Sequence, residues 1–125
     1  MKEKTNEITI NGVIYIPKSE VKTSEPAKSL KGMPYVVVRT YSAGVFAGYL
    51  ESRKGQEVVM RNARRLWYWK GAASLSQLAM EGVKNQSECK FPCEVDKVEL
   101  LQAIEILDCT KEAQQSITST PVWKE

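Results

Sequence analysis

Apolar and polar residues alternate first in EITINGVIYIP, residues 7–17, on both sides of the pair Asn11-Gly12. Asn-Gly between alternating apolar residues favours a tight turn with positive φ at both central positions, so this segment is predicted to form a β-hairpin. The stretch that follows is polar, contains Pro and Gly, and has no sustained period, which is typical of a linker. The pattern predicts a hairpin arm and linker over residues 1–33 and a main domain over residues 34–125.

The main domain opens with segments of strand character. YVVVRTY, residues 35–41, is rich in β-branched and aromatic residues, and its run of three valines is typical of a strand buried on both faces. A turn at Lys54-Gly55 separates two further strand-like stretches. CEVDKVELLQAIEIL, residues 93–107, alternates again and predicts a strand pair or one long bent strand. These segments predict a small antiparallel sheet.

Helical spacing appears twice. From Ala72 to Glu81 apolar residues recur three and four positions apart, and Gly82 is placed to end that helix. Thr110 and Glu112 begin TKEAQQSI, which predicts a short polar helix near the C-terminus. The predicted fold class is therefore α+β: a small antiparallel β-sheet with one main helix and a short C-terminal helix, preceded by the N-terminal β-hairpin arm.

Composition excludes several classes of protein. The chain has 42% hydrophobic and 26% charged residues, which is ordinary for a globular protein. No apolar run approaches the roughly 20 residues of a membrane span, and no secretory signal is visible, so a soluble, cytoplasmic protein with no membrane partner is expected. Three cysteines without any histidine do not supply the usual ligands of zinc. Without histidine the commonest general base is missing too, so we expect no metal, no cofactor and no enzyme activity.

Charge is spread unevenly. From Arg53 to Lys70 six basic residues face one acidic residue, a local charge of +5, whereas from Val98 to Glu125 five acidic residues outnumber two lysines. This polarity favours a face that attracts anions. Charges scattered over solvated strand faces explain it equally well.

Three arginines lie inside RNARRLWYWK, residues 61–70. On an extended backbone Arg61 and Arg65 share one face and Arg64 takes the other, together with Met60. Guanidinium groups match phosphate oxygens bidentately, so these arginines are candidate ligands for a phosphate.

The tryptophans of the same segment have two interpretations. Strand alternation predicts that Trp67 and Trp69 project together into the core or a subunit interface, with Tyr68 outward. Alternatively, their faces stack on a purine or nicotinamide ring. If the tryptophans lie in the core, Arg61 and Arg65 are on the same face, and a buried guanidinium needs an anion. Either a bulge resets the register of the strand, or a ligand phosphate is the partner. This conflict is why we interpret the segment as a site.

Three other segments supply candidate contacts. GAASLSQ places Ser74 at a helix N-terminus, where a hydroxyl either caps the helix or contacts a phosphate. The turn from Ser42 to Gly44 either begins a strand or lets backbone amides approach a ligand. KNQSECKFP adds Lys90 and Phe91, an aromatic that we expect to be exposed and able to close over a base. The candidate ligand-binding residues are Arg61, Asn62, Arg64, Arg65, Trp67, Trp69, Ser74, Gln77, Ser42, Gly44, Phe91 and Lys90.

The span from about Tyr35 to Cys109 resembles the phage Thoeris anti-defence sponge family. The matching features are VVVRTYSAGVFAG, then VVMRNARRLWYWKGAASLSQLAMEGV, then SECKFP and the strand IEIL. Members of that family sequester cyclic ADP-ribose isomers made by bacterial TIR-domain enzymes.

The resemblance implies a phage protein that acts in the host cytoplasm and evades immunity by holding its ligand intact. It also implies a homo-oligomer, a dimer or dimer-based hexamer, with the ligand between subunits and no obligate nucleic acid. Some members are similar in sequestering cyclic oligonucleotides as well. Cyclic ADP-ribose carries a pyrophosphate, riboses and one adenine. Guanidinium and amide donors with a stacking ring are the groups that bind such a ligand, and holding it intact requires no acid–base catalyst.

Other classes of function stay open at this point. A single-stranded nucleic-acid-binding accessory module also fits a basic segment with interleaved aromatics, and its affinity would fall steeply with salt. A structural phage-type assembly protein, whose aromatics all lie in the core or an interface, is a third reading. An enzyme that cleaves a nucleotide signal is a fourth.

Overall fold

A computed structural model of the protein describes residues 25–125. These residues form an α+β domain with a five-stranded antiparallel sheet and two α-helices, and this confirms the predicted fold class. The hairpin predicted around Asn11-Gly12 lies outside the described residues. The strands are β1 Tyr35–Thr40, β2 Val45–Lys54, β3 Glu57–Arg65, β4 Glu94–Leu100 and β5 Ala103–Asp108, and the helices are α1 Leu75–Glu81 and α2 Lys111–Ser119.

The sheet has the strand order β4-β3-β2-β1-β5, so β4 and β5 occupy opposite edges. Only Leu101 and Gln102 connect these two strands, and they span about 11 Å at most. Across a flat five-stranded sheet the edges would be about 19 Å apart. The sheet therefore curls, and the Ala103 N–H donates to the carbonyl of Gln56 at the β2–β3 turn, 3.0 Å away.

Both faces of the curled sheet are apolar. Val36 and Val38 of β1 point to the concave side, Val37 points to the helices, and all three are 0% exposed, as the valine run predicted. The inner cluster on the concave side comprises Val36, Val38, Phe46, Val58, Met60, Ala63, Leu100 and Ala103. The helix-side cluster comprises Tyr35, Val37, Ala47, Leu66, Leu78, Ala79, Val83, Cys89, Phe91, Cys109, Ala113 and Ile117.

The helices are close to the predicted ones. The helix predicted from Ala72 is shorter than expected: Ser74 is its N-cap, so α1 begins at Leu75. It ends at Gly82, whose φ is 78°. In α2 the Thr110 hydroxyl accepts from the Ala113 N–H, as expected for the N-cap. At nine residues α2 is longer than the seven-residue α1. Neither helix is long and apolar enough to cross a membrane within residues 25–125.

A β-bulge in β3 changes which way its side chains point. Ala47 pairs with Arg64 and Tyr49 pairs with Arg61, so two residues of β3 lie opposite Gly48. One of the two, Asn62, has a φ of 47°. An extra residue reverses the alternation beyond it, so the bulge resets the register that strand alternation alone would give.

The last part of the predicted linker lies against the domain. Pro26 bridges to Thr110, and the Ala27 N–H donates to the Cys109 carbonyl at 3.1 Å. The side chain of Gln114 accepts from the Lys28 N–H at 2.8 Å and donates to the Lys28 carbonyl at 2.9 Å. Residues 25–28 are thus tied to α2 through backbone and side-chain hydrogen bonds.

Candidate functional site

Five of the predicted ligand-binding residues line one cavity of about 490 Å³, which we call the indole groove. This volume is within the range of small-molecule sites. The loop between β1 and β2 forms one wall, and the end of β3 with the chain beyond it forms the other. The groove is lined by Ser42, Ala43, Gly44, Val45, Arg65, Leu66, Trp67 and Trp69.

The loop wall is held in shape by Thr40. Its hydroxyl accepts from the Ala43 N–H at 2.8 Å and donates to the Gly44 carbonyl at 2.7 Å. Gly44 has a φ of 93°, a conformation that favours glycine. The Ser42 hydroxyl donates to the Gln102 side chain at 2.9 Å. The loop is therefore preformed. It leads into β2, and the Ala43 amide donates to Thr40, so that amide is not among those that can approach a ligand.

Arg65 is the cation of the indole groove. Its guanidinium carbon lies 4.6 Å from the centre of the Phe46 ring, a cation–π contact that holds the group against the inner cluster. Within residues 25–125 no ion pair joins Arg65 to a carboxylate. The side chain is exposed, so its N–H donors are available to an anion in the groove.

The two tryptophans differ in burial. Trp67 is 64% exposed, so the prediction that it packs into the core is wrong for the single chain. Trp69 is half-buried and packs against the helix-side cluster. The strand β3 ends at Arg65, and alternation within β3 therefore no longer governs these rings. The groove has one fixed indole and one indole open to stacking.

Arg64 does not belong to the groove, which corrects its prediction as a ligand contact. It is 5% exposed and its guanidinium lies on the helix side. Its nitrogens donate to the carbonyls of Phe91, Pro92, Ile117 and Pro121 at 2.8–3.1 Å. Burial lowers the pKa of Arg64, although the nearby Tyr35 opposes that shift. The side chain holds three chain segments together.

The arginine parity predicted for the segment is also wrong. Arg61 and Arg65 were expected on one face, but the bulge at Asn62 separates them. Arg65 stacks on Phe46 of the inner cluster, whereas Arg61 pairs with Tyr49, which packs on the helix side.

A second cavity, of about 560 Å³, contains two other predicted residues. Arg61 and Asn62 line it together with the carboxylates of Glu51 and Asp96. Arg61 donates to Glu51, so its charge is already partnered. This cavity, the bulge groove, lacks an aromatic ring and is separate from the indole groove.

The remaining predicted residues lie elsewhere. Phe91 is 0% exposed, so the expectation of an exposed aromatic there is wrong: the ring belongs to the helix-side cluster. Lys90 is exposed, but its ammonium lies over the rings of Tyr68 and Trp123. Trp123 was not among the predicted residues, because the C-terminal tail has no periodic pattern that announces it.

The predicted anion site at the start of α1 is occupied by the helix's own side chains. The Ser74 hydroxyl accepts from the Gln77 N–H at 3.1 Å. The Gln77 side chain accepts from the Ala73 N–H at 2.7 Å and donates to Glu81 at 3.2 Å. Neither Ser74 nor Gln77 lines the indole groove.

The lining of the indole groove is suited to binding. It contains a guanidinium, two indoles and a hydroxyl, and its lining residues include no carboxylate and no thiol. Residues 25–125 contain no group of three or more Cys, Asp or Glu side chains that could hold a metal ion. The arrangement can pair with an anion and stack on a flat ring.

The chain belongs to a protein family. Residues 33–117, which are more than half of its 125 residues, match a family described as "Domain of unknown function (DUF6948)". No curated protein and no solved structure matches the chain.

Proposed function

We propose that this member of the DUF6948 family binds a cyclic nucleotide signal of the cyclic ADP-ribose class in the indole groove and sequesters it without degrading it. The observation that carries the proposal is the meeting of Arg65, Trp67 and Trp69 in one cavity with the Ser42–Gly44 loop. Cyclic oligonucleotides offer the same phosphate and base chemistry and are further candidate ligands.

The pyrophosphate of such a ligand is assigned to Arg65. The guanidinium is fixed by Phe46 at 4.6 Å and has no carboxylate partner within the described residues. An anion between the groove walls would therefore receive charge-assisted hydrogen bonds without displacing an existing ion pair.

The base is assigned to Trp67. A ring that is 64% exposed offers an open face, and stacking on a base buries apolar area that is otherwise in contact with water. Trp69 is anchored in the helix-side cluster and forms a fixed wall beside it. The loop braced by Thr40 closes the opposite side. Because this loop is already ordered, little conformational entropy is lost on binding.

Sequestration, not turnover, suits the chemistry of the groove. The Ser42 hydroxyl is bonded to Gln102, and no lining residue is a base that could activate it. The whole chain contains no histidine. We accordingly propose a binding protein and not an enzyme.

The biological setting rests on the sequence resemblance to Thoeris anti-defence sponges. On that ground we propose a phage protein that acts in the cytoplasm of the bacterial host and works as a homo-oligomer, a dimer or dimer-based hexamer. Analytical ultracentrifugation of the full chain measures the oligomer size, and a monomer at micromolar concentration would remove this part of the proposal.

The test is to purify the full chain from bacteria that express an active TIR-domain enzyme, denature it, and identify the released small molecules by mass spectrometry. We expect an intact cyclic ADP-ribose isomer in stoichiometric amount. The matched variant Arg65→Gln should release at least tenfold less, since a charge-assisted contact contributes about 1.5–3 kcal/mol. Linear ADP-ribose in place of the cyclic ligand, or equal release from the variant, would contradict the proposal.

A further inference from the structure

A small side sheet lies beyond the end of β3, outside the five-stranded sheet. Tyr68 and Lys90 form an antiparallel bridge, and Phe91 and Val122 form a parallel one. The Lys90 N–H donates to the Tyr68 carbonyl at 2.7 Å, and the Trp123 N–H donates to the Phe91 carbonyl at 2.9 Å. Three distant segments of the chain, residues 67–68, 90–91 and 122–123, are thereby held side by side.

This side sheet is anchored from below. Phe91 is 0% exposed and packs in the helix-side cluster. Arg64 donates to the carbonyl of Phe91, in one of the three segments, and to that of Pro121, the residue before another. The backbone of the side sheet is consequently fixed to the domain core.

Its outer surface concentrates exposed apolar side chains. Nine large hydrophobic residues are exposed within residues 25–125, and three of them, Tyr68, Val122 and Trp123, belong to the side sheet and do not line the indole groove. Single exposed apolar residues are ordinary, whereas a cluster on a rigid support indicates an interaction surface.

Lys90 supplies a positive charge close to two of these rings. Its ammonium lies 5.9 Å from the centre of the Tyr68 ring and 5.6 Å from the centre of the Trp123 ring. An ammonium has three N–H donors, and Lys90 is exposed, so donors remain for a ligand in solution. The surface therefore places one cation within about 6 Å of the centres of two exposed rings.

We infer that the side sheet binds single-stranded nucleic acid, with bases stacked on Tyr68 and Trp123 and a backbone phosphate at Lys90. A single strand offers base faces and phosphates together, and these match the two rings and the charge beside them; small β-domains hold single strands through such stacking and charge contacts. A duplex hides its base faces, and an acidic peptide has no flat ring for the two aromatics. The exposed rings therefore favour a single strand over either.

This surface differs from the indole groove. Trp67 and Trp69 both line the groove, whereas Tyr68, between them, points to Lys90. The inference does not depend on the proposed nucleotide signal, because Tyr68, Lys90 and Trp123 take no part in lining the groove. Variants can separate the two activities.

Fluorescence anisotropy of a labelled single strand of about 12 nucleotides, titrated with the full chain, tests the inference. We expect Trp123→Ala to weaken binding about tenfold, the effect of losing one stacked base. Lys90→Gln should make the slope of log affinity against log salt shallower by about 0.7, the loss of one phosphate contact. The exposed aromatic Tyr41 on the β1–β2 loop provides a matched control, and Tyr41→Ala should leave affinity unchanged.

Two further ligands decide between stacking and charge alone. A strand of equal length without bases has the same phosphates and should bind at least tenfold more weakly. A polyglutamate peptide of equal charge should bind no better than the baseless strand. Equal affinity for all three ligands, or unchanged binding by Trp123→Ala, would overturn the inference. If Arg65→Gln retains single-strand binding but loses the cyclic nucleotide, the two surfaces are independent.

Discussion

Arg64 and Arg65 are neighbours in the chain and have opposite surroundings. The guanidinium of Arg64 is buried at 5% exposure and donates to four backbone carbonyls. The guanidinium of Arg65 is exposed in the indole groove and rests on one aromatic ring. One arginine is used by the fold and the next is available to a ligand, so residue type and spacing do not by themselves identify a binding arginine.

The bulge opposite Gly48 determines which arginine takes which place. By uninterrupted alternation Arg64 would share the concave side with Met60. Asn62, at a φ of 47°, adds one residue to β3 and sends Arg64 to the helix side instead. There Arg64 donates to the Ile117 carbonyl in the last turn of α2, where the helix dipole favours a positive charge.

Replacing Arg64 should produce the largest loss of stability. Arg64→Met keeps apolar bulk but removes four charge-assisted hydrogen bonds to buried or part-buried carbonyls. The Phe91 and Ile117 carbonyls keep backbone donors, from Trp123 and Thr120. We expect the free energy of unfolding to fall by about 4 kcal/mol in urea titration. The control Arg61→Met removes a half-exposed ion pair with Glu51 and should cost less than about 1 kcal/mol. Equal losses in the two variants would mean that Arg64 does not hold the fold.

Removing the space for the bulge should disturb the surroundings of both Arg64 and Arg65. A Cβ atom at position 48 would lie 2.8 Å from the Ala63 Cα, so Gly48→Ala requires the backbone to move. We expect a loss of about 2 kcal/mol in thermal or urea unfolding, together with weaker ligand binding, because the bulge positions both arginines. In contrast, Gly44→Ala meets no atom within 4 Å and should cost about 1 kcal/mol from its positive φ alone. A Gly48→Ala protein as stable as the wild type would refute this role for the bulge.

Replacing Arg65 should separate binding from stability. Arg65→Gln loses one cation–π contact with Phe46, so unfolding should change by less than about 1 kcal/mol. Affinity for the cyclic nucleotide should fall about 30-fold, equivalent to about 2 kcal/mol. Calorimetric titration and urea unfolding of the same preparation measure both quantities. A loss of stability like that expected for Arg64→Met would abolish the contrast between the two residues.

The stability contributed by the helix-side cluster should also depend on alkaline pH. Burial raises the pKa of the Cys109 thiol from 9.0 to about 12, and burial likewise raises the pKa of Tyr35. Since the folded-state pKa is above the unfolded one, this stabilisation is complete below pH 9 and is lost as the pH rises towards 12. From about pH 8 to 10 the wild type should lose about 1.4 kcal/mol more than Cys109→Ala, measured by urea unfolding. Parallel pH profiles would show that Cys109 does not contribute.

The sequence predicted the elements better than the directions of their side chains. The valine run of β1, the turn at Lys54-Gly55 and the N-cap at Thr110 depend on local chemistry, and the structure confirms them. The places of Arg64 and Phe91 depend on a bulge and on a tail that returns from the far end of the chain. Neither leaves a periodic signal. Alternation therefore placed Arg64 on the wrong face, and the polar loop around Phe91 wrongly indicated an exposed ring.

The candidate site was only partly predictable for the same reason. Arg65 is far in sequence from Ser42 and Gly44, and the pairing of β2 with β3 brings it to the same cavity as these two residues. Small residues in a turn and a basic aromatic segment indicated each half separately. The brace at Thr40 and the support from Phe46 follow from tertiary contacts, which no local pattern contains.

The most direct measurement is calorimetric titration of cyclic ADP-ribose isomers into the wild type, Arg65→Gln and Trp67→Ala, followed by heating and chromatography of the ligand. The wild type should bind at least one isomer tightly, both variants should bind it at least tenfold more weakly, and the ligand recovered after heating should be unchanged. Absence of binding for every isomer, equal affinity of the three proteins, or recovery of a cleaved ligand would contradict the assignment of the indole groove as a sequestering site.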